Sequence, residues 1–321
     1  VTSHFDNLEY DIKQMLKGNH ASETLEISHS TSERIVALAK GIASHTLDMA
    51  SHKPPRIKSP TDKTIRMSEV GAPCHRKLLY SWYSPMRGLP PYADENHPYL
   101  PVKFTYGDYI EELVLFLCEE AGHTVADRQK EVTLHVKETV WYAVGHMDAT
   151  IDGHVVDIKS SADVSFNKYK REGLTEENDS FGYLYQIDSY AMAHGTDDRA
   201  VIFTNKHDGE IYIAHRSGVD FMPVETKIKV LGDDADLYIA TGEMPIRLEP
   251  KVTKYGKQLN TVCSYCNFKH TCYDGGILGV IASGRPQYFL EETITSEGYA
   301  YIKDKAKIAK PKGFAKTKVE V

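Results

Sequence analysis

Apolar residues along this chain switch between two periods, and the switching outlines a fold. Over residues 104–118 they recur at helical spacing around a charged pair, Glu111 and Glu112, which predicts an amphipathic helix. Residues 155–159 are instead rich in β-branched side chains, and residues 140–147 read as the strand before them. An Asp152-Gly153 turn signal lies between them, so the two are expected to pair as a hairpin. The helical period returns over residues 181–193. Strands are expected at 200–204 and 210–214 around a His207-Asp208-Gly209 turn, and a helix at 219–240. Helix, strands, helix, strands is the pattern of an α/β core with a central mixed β-sheet flanked by helices.

Upstream, residues 1–52 read as helical, with Ser30-Thr31-Ser32-Glu33 as a cap before the apolar run 35–43. A basic, proline-rich linker follows to residue 66, then a helix opening at Cys74. Next comes a proline-rich loop, 85–101, long enough to gate a substrate. The expected organisation is a helical N-terminal region and linker at 1–66, a first cysteine helix and loop at 67–103, a core at 104–245, and a C-terminal cysteine segment with a basic tail at 246–321.

The chemistry concentrates in Gly145-His146-Met147-Asp148 and, nine residues after Asp148, in Asp157-Ile158-Lys159. Strand alternation puts Asp157 and Lys159 on one face, and Asp148 reaches that face if the hairpin forms. Two carboxylates suffice to hold Mg2+ or Mn2+ beside phosphate oxygens, and such an ion activates water and polarises a phosphoryl group. Lys159 can orient the water or offset developing charge. Alone, Asp-x-Lys is also what a solvated strand edge looks like. Glu111 or Glu112 can supply a third ligand, and Gln186 and Tyr190, four apart, share one helix face.

The ordered series Gly107-x-x-x-Glu111, Gly145-x-x-Asp148, Asp157-x-Lys159 and Gln186-x-x-x-Tyr190 resembles the RecB-type branch of the PD-(D/E)XK nucleases. The chain departs at one position, since that branch usually carries histidine where Glu111 stands. The resemblance implies a restriction-endonuclease-like core and a metal-dependent DNA nuclease, an exonuclease acting on a single-stranded segment or a free end. Glu111, Asp148 and Asp157 would bind the metal, Lys159 would assist water attack, and Gln186 and Tyr190 would contact the strand or support the site. Rival readings are an inactive nucleic-acid-binding or assembly subunit with the same fold, and an RNA-directed nuclease.

Five cysteines add a second signal. Cys263, Cys266 and Cys272 form a Cys-x2-Cys-x5-Cys run, the spacing of a compact thiolate site. Cys74 is the best fourth ligand, since a helix start is expected to lower its thiol pKa, while Cys118 falls in an apolar helix pattern and reads as packing. One early and three late cysteines around the nuclease motifs resemble the iron–sulfur subset of RecB-like nucleases, which includes four-cysteine CRISPR-associated exonucleases and AddB-type subunits. That resemblance implies a [4Fe–4S] cluster on Cys74, Cys263, Cys266 and Cys272. Zinc is the competing occupant, with His75 and His270 close by in sequence.

Composition bounds the rest. The chain has 321 residues, 41% of them hydrophobic, and a net charge of −7, which argues against wholesale coating of nucleic acid but not against a local basic groove. Candidate strand contacts are residues 53–66, Arg76-Lys77, 168–171, 251–257 and a tail with seven lysines after residue 302, read as a flexible arm. Tyr83, Tyr92, Tyr99 and Tyr106 are candidate base-stacking residues. No apolar run spans a bilayer and the first residues lack a signal-peptide pattern. The expected compartment is a reducing bacterial cytoplasm, for a bacterial protein or a phage protein acting there.

Overall fold

The computed structural model describes residues 5, 7–19, 33, 36, 39–40, 58–83, 100–274, 276–282 and 285–308. The expected cap at Ser30 to Ser32, the start of the linker, most of the proline-rich loop with Tyr92 and Tyr99, and the end of the tail lie outside them. In chain order the elements are α1 (Leu8–Asn19), β1 (Thr64–Arg66), the single turn α2 (Met67–Val70), α3 (His75–Tyr83), α4 (Leu100–Glu120), β2 (Val125–Ala126), β3 (Lys130–His135), β4 (Tyr142–Met147), β5 (Ala149–Ile151) and β6 (His154–Ser161). There follow α5 (Asp163–Glu172), α6 (Tyr183–His194), β7 (Arg199–Asn205), β8 (Ile211–Arg216), α7 (Val224–Thr241), β9 (Lys251–Thr253), β10 (Gly256–Gln258), α8 (Thr261–Ser264), α9 (Lys269–Cys272), β11 (Ile277–Ala282), β12 (Arg285–Leu290) and α10 (Ser296–Ile308). The protein is thus mixed α/β, with mixed sheets flanked by helices.

The chain divides into two compact units, residues 1–54, 60–72 and 99–236, and residues 55–59, 73–98 and 237–321. The first contains a five-stranded sheet, β2-β5-β6-β7-β8, and a three-stranded one, β1-β4-β3. β6 and β7 are parallel and every other pairing in the larger sheet is antiparallel. Parallel neighbours need a long crossover, and α5 and α6 supply it. On one face of this sheet, Leu8 and Ile12 of α1 and Val114, Leu115 and Cys118 of α4 pack with Val156, Ile158, Ala200 and Ile202. Cys118 is a core residue there, fully buried.

Several expectations are corrected. The strand at 140–147 does not pair with 155–159; β4 joins β1 in parallel and β3 antiparallel, and the hairpin partner of β6 is the short β5. The turn signal was sound, since Asp152 and Gly153 both take positive φ, but it closes a hairpin that starts only at Ala149. The linker is not irregular to its end, because Thr64–Arg66 is a strand. Helix α4 begins at Leu100, inside the expected loop, and α7 begins at Val224, not 219, just after Pro223. In the tail, Lys303, Lys305 and Lys307 lie on α10 and so are not part of a flexible arm.

In the second unit, β11-β12-β10-β9 form an antiparallel sheet that the sequence reading does not foresee. Around it lie α3, the two single-turn helices α8 and α9, and α10.

Back in the first unit, Gly71 and Gly182 meet backbone to backbone. A Cβ on Gly182 would lie 2.4 Å from the Gly71 carbonyl oxygen, and Gly182 takes φ +79° as the residue before α6. Gly195 has a similar φ of +81° but open space around it. Gly182→Ala is therefore expected to destabilise the protein by about 2–4 kcal/mol in denaturant unfolding, strain and overlap together, and Gly195→Ala by only about 1 kcal/mol. Equal losses at the two positions would show that the close approach contributes nothing.

Candidate active site

Asp148 sits where the chain leaves one sheet for the other. Met147 is the last residue of β4 and pairs with Lys130, whereas Ala149 opens β5 and pairs with Val156. The next register position places Asp148 opposite Asp157. Its carboxylate accepts a hydrogen bond from the Ile158 backbone N–H at 2.6 Å, replacing the carbonyl that a longer β5 would have offered. The sheet break thus turns a backbone position into a carboxylate position.

Asp157 is fully buried on β6. Lys159 Nζ lies 2.9 Å from each of its carboxylate oxygens, and Gln186 Nε2 donates to Asp157 Oδ1 at 3.1 Å. The same amide donates to the Tyr190 hydroxyl at 3.2 Å, so α6 reaches the strand through one two-residue relay. Gln186 and Tyr190 are themselves buried, 8% and 4% exposed, which leaves little of either to touch a strand. Gly145 explains itself here. A Cβ would come within 2.7 Å of the Tyr190 ring and 3.1 Å of Met67, so only glycine lets α6 approach β4. Gly107 has no such reason, with nothing within 4 Å of its missing Cβ.

Glu111 and Glu112 are now distinguishable. Glu112 accepts from Arg128 Nη1 at 2.9 Å. Glu111 accepts from Gln129 Nε2 at 2.5 Å and senses the charges of Asp157 and Lys159. Burial pushes Glu111 up to about 7, with Glu112 and Asp157 adding to the rise and the Gln129 hydrogen bond opposing it. Burial also raises Asp148 well above the usual carboxylate range, reinforced by Asp157 and Glu111. Asp157 is raised by burial against the pull of Lys159. Lys159 is held protonated by Asp157 and Asp148, which outweigh its own desolvation. The three carboxyls are thus coupled, Glu111 to Asp157 and Asp148 to both, with Lys159 acting on each, although among the described residues they are not drawn together as a metal-holding group.

The thiols gather in the second unit. Cys74, Cys263, Cys266 and Cys272 line one small recess with Arg76, Lys77, Tyr80, Phe268, Lys269 and Tyr273. Asn260 caps α8 by accepting from the Cys263 N–H at 2.9 Å, and Cys266 N–H donates to the Cys263 carbonyl at 3.0 Å, closing the two-residue spacing into a tight loop. Contrary to expectation, the Cys74 thiol pKa is raised. Burial outweighs the backbone N–H bonds from Lys77 and Arg76 just inside α3. Cys263 is pushed up to about 11 and Cys266 also rises, in both cases by burial first and by the neighbouring thiols after it. A four-thiol set suits zinc or an iron–sulfur cluster equally. Among the described residues, no three His, Cys, Asp or Glu side chains are already drawn together as a metal-holding group.

The remaining expectations divide. Tyr83 is fully buried, its ring 5.8 Å from that of Tyr238, and has no face for a base; Tyr106 is 59% exposed. In the 168–171 segment, Lys170 pairs with Glu210 and Arg171 with Glu172, so both are already engaged. No helix among the described residues is long and apolar enough to cross a membrane.

No protein-family model and no curated protein matches the chain. Among solved structures it is similar to the SSO0001 protein, at 17% identity and a TM-score of 0.41, over 74% of this chain and 94% of that one. It is also similar to a phage-related exonuclease from Haemophilus somnus, at 14% identity and a TM-score of 0.39, over 56% of this chain and 96% of that one. An alkaline exonuclease from Laribacter hongkongensis aligns at 12% identity and a TM-score of 0.35, over 56% of this chain and 90% of that one.

Proposed function

We propose that the protein is a metal-dependent deoxyribonuclease, an exonuclease, that hydrolyses phosphodiester bonds at the Glu111, Asp148, Asp157 and Lys159 site. The observation that carries this reading is Asp148, bonded to the Ile158 N–H at the sheet break, beside the buried Asp157 that Lys159 holds at 2.9 Å, with Glu111 close enough to sense both charges of that pair. Glu111, Asp148 and Asp157 would hold Mg2+ or Mn2+. Such an ion, when bound, lowers the pKa of a coordinated water and polarises the phosphoryl oxygen. Lys159 keeps its proton under the pull of Asp157 and Asp148, so its role is to stabilise negative charge and orient the nucleophile, not to accept a proton. Gln186 fixes which way Asp157 points, and Tyr190 fixes Gln186.

The thiol recess we assign to a [4Fe–4S] cluster, with zinc as the alternative occupant. Four cysteines lining one recess support a four-thiolate centre; burial raises the Cys74, Cys263 and Cys266 thiols, so binding a metal there would release protons. Its role is structural, because it joins Cys74 to a segment distant in sequence.

Asp148→Asn is expected to lower DNA cleavage by at least about 100-fold while leaving the unfolding curve and the bound metal of the cysteine site in place. Cleavage at the unmutated rate, followed on a labelled strand with and without EDTA, would refute the assignment. The raised Glu111 sets a pH dependence. Its folded pKa of about 7 lies above the unfolded value near 4.3, so the stability it lends is complete below the latter and is lost as pH rises through the former. Metal ligation needs the deprotonated form, so Mn2+ should raise the melting temperature more at about pH 8 than at about pH 6. A metal shift that does not grow with pH would count against Glu111 as a ligand. Anaerobically purified protein should be brown, with about four iron and four sulfide per chain, and Cys266→Ser should lose both. A colourless protein with one zinc would replace the cluster and leave the nuclease proposal standing.

A further inference from the structure

An aromatic ladder in the first unit ends in open solvent next to the acidic site. It starts in the core, where Phe203 stacks on Tyr169 with ring centroids 4.7 Å apart. Tyr183 meets Phe203 edge-on at 5.8 Å, and Phe181 stacks on Tyr183 at 5.3 Å with an interplanar angle of 25°. Phe203 is fully buried, while Phe181 is 61% exposed. Lys159 Nζ lies 5.8 Å from the centre of the Tyr183 ring, so the exposed ring stands one aromatic layer from the Lys159 ammonium.

An exposed aromatic is unremarkable where its loop can move to hide it. This one is held. Asp179 accepts from the backbone N–H groups of Phe181 and Gly182 through one carboxylate oxygen, at 3.3 and 2.9 Å, and from Leu184 through the other at 2.8 Å. Buried Asn178 ties the preceding turn by donating to the Gly173 carbonyl and accepting from Thr175 N–H. The Gly71–Gly182 contact fixes the chain one residue further on. The backbone is thus pinned on both sides of a large apolar ring presented to water, and burying that ring would be favourable if anything covered it.

We propose that Phe181 is a stacking platform for an unpaired nucleobase of the DNA strand whose backbone enters the acidic site. The inference rests on the nuclease reading for the identity of the ligand. A base offers a flat π-face whatever its sequence, and stacking of this kind is sequence-tolerant. The ladder behind Phe181 keeps the ring rigid, which reduces the ordering cost of binding. The platform therefore selects single-stranded or frayed DNA over a closed duplex.

The test is equilibrium binding of the full-length protein to a fluorescent oligothymidylate in EDTA, so that nothing is cut. Phe181→Ala should weaken binding by about tenfold and Phe181→Trp should retain it. On a strand of abasic residues, the difference between wild type and Phe181→Ala should vanish. Undiminished binding by Phe181→Ala, or an equal loss on the abasic strand, would overturn the platform. A covalently closed circular duplex should feel the substitution less than twofold, and an equal loss there would overturn the preference for unpaired bases. Because binding is read without metal, a protein that binds through Phe181 but never cleaves would sink the hydrolytic reading alone.

Discussion

Carboxyl groups crowded out of water are the constraint around which the first unit is arranged. Asp157 is fully buried, Asp148 lies opposite it, and Glu111 completes the set from a different element, with Lys159 as the cation that acts on all three among the described residues. Burial raises all three carboxyls above their usual range, and for Glu111 and Asp148 the neighbouring carboxylates add to the rise. A buried ion pair by itself rarely stabilises a fold, because desolvation offsets the attraction. The chain nevertheless buries this set, with Gln186 bonded to Asp157, Tyr190 to Gln186 and Gln129 to Glu111, a perturbed cluster of the kind that marks a candidate functional site.

Legibility followed the range of the interactions concerned. Asp157 and Lys159 were readable because strand alternation is local, and the Asp152-Gly153 turn because positive φ is a property of two residues. The partner strand was not readable. Nothing in residues 140–147 announces that β4 will pair with β1, more than seventy residues earlier, while a three-residue strand takes its place beside β6. The motif nonetheless survives, since Asp148 owes its position to the break itself. Gly145 looked like motif spelling and proved to be a packing requirement, while Gly107 has no steric role. The four-stranded sheet of the second unit escaped notice because its strands β9 and β10 are three residues long. The Cys74 thiol was misjudged because a helix start is visible in sequence and burial is not.

The second unit is assembled from separated stretches of chain, and its thiol recess draws on two of them. Cys74 comes from the first stretch with α3, and the other three thiols come from the segment after residue 260, with about 190 residues between. Tying such a loop removes on the order of 5 kcal/mol of chain entropy from the unfolded state in the simplest treatment. Apolar packing in this unit is modest around the recess: Tyr80, Cys266 and Phe268 form a three-residue cluster with Met244 and Cys272 beside it, and the Tyr80 and Phe268 rings stack at 5.4 Å. A second cluster, Leu259, Cys263 and Ile277 with Leu248, Tyr273, Tyr288 and Leu290 beside it, packs behind the same recess.

Rigidity in the first unit is distributed in the same spirit. Arg199, fully buried at the start of β7, pairs with Asp188 of α6 at 2.6 Å and donates to the carbonyls of Asp197, Gly218 and Asp220. Asp188 also accepts from the Met222 N–H, so one carboxylate anchors the middle of α6 to the strand and to the loop beyond β8. Gln186 stands two residues before that anchor, Tyr190 two after it, and Tyr183 at the helix start. The helix that orients Asp157 is therefore the helix that carries the aromatic ladder outward, and the Asp188–Arg199 pair holds both in register with the sheet. A change at this pair would act on the acidic site and on the exposed ring together, although it touches neither.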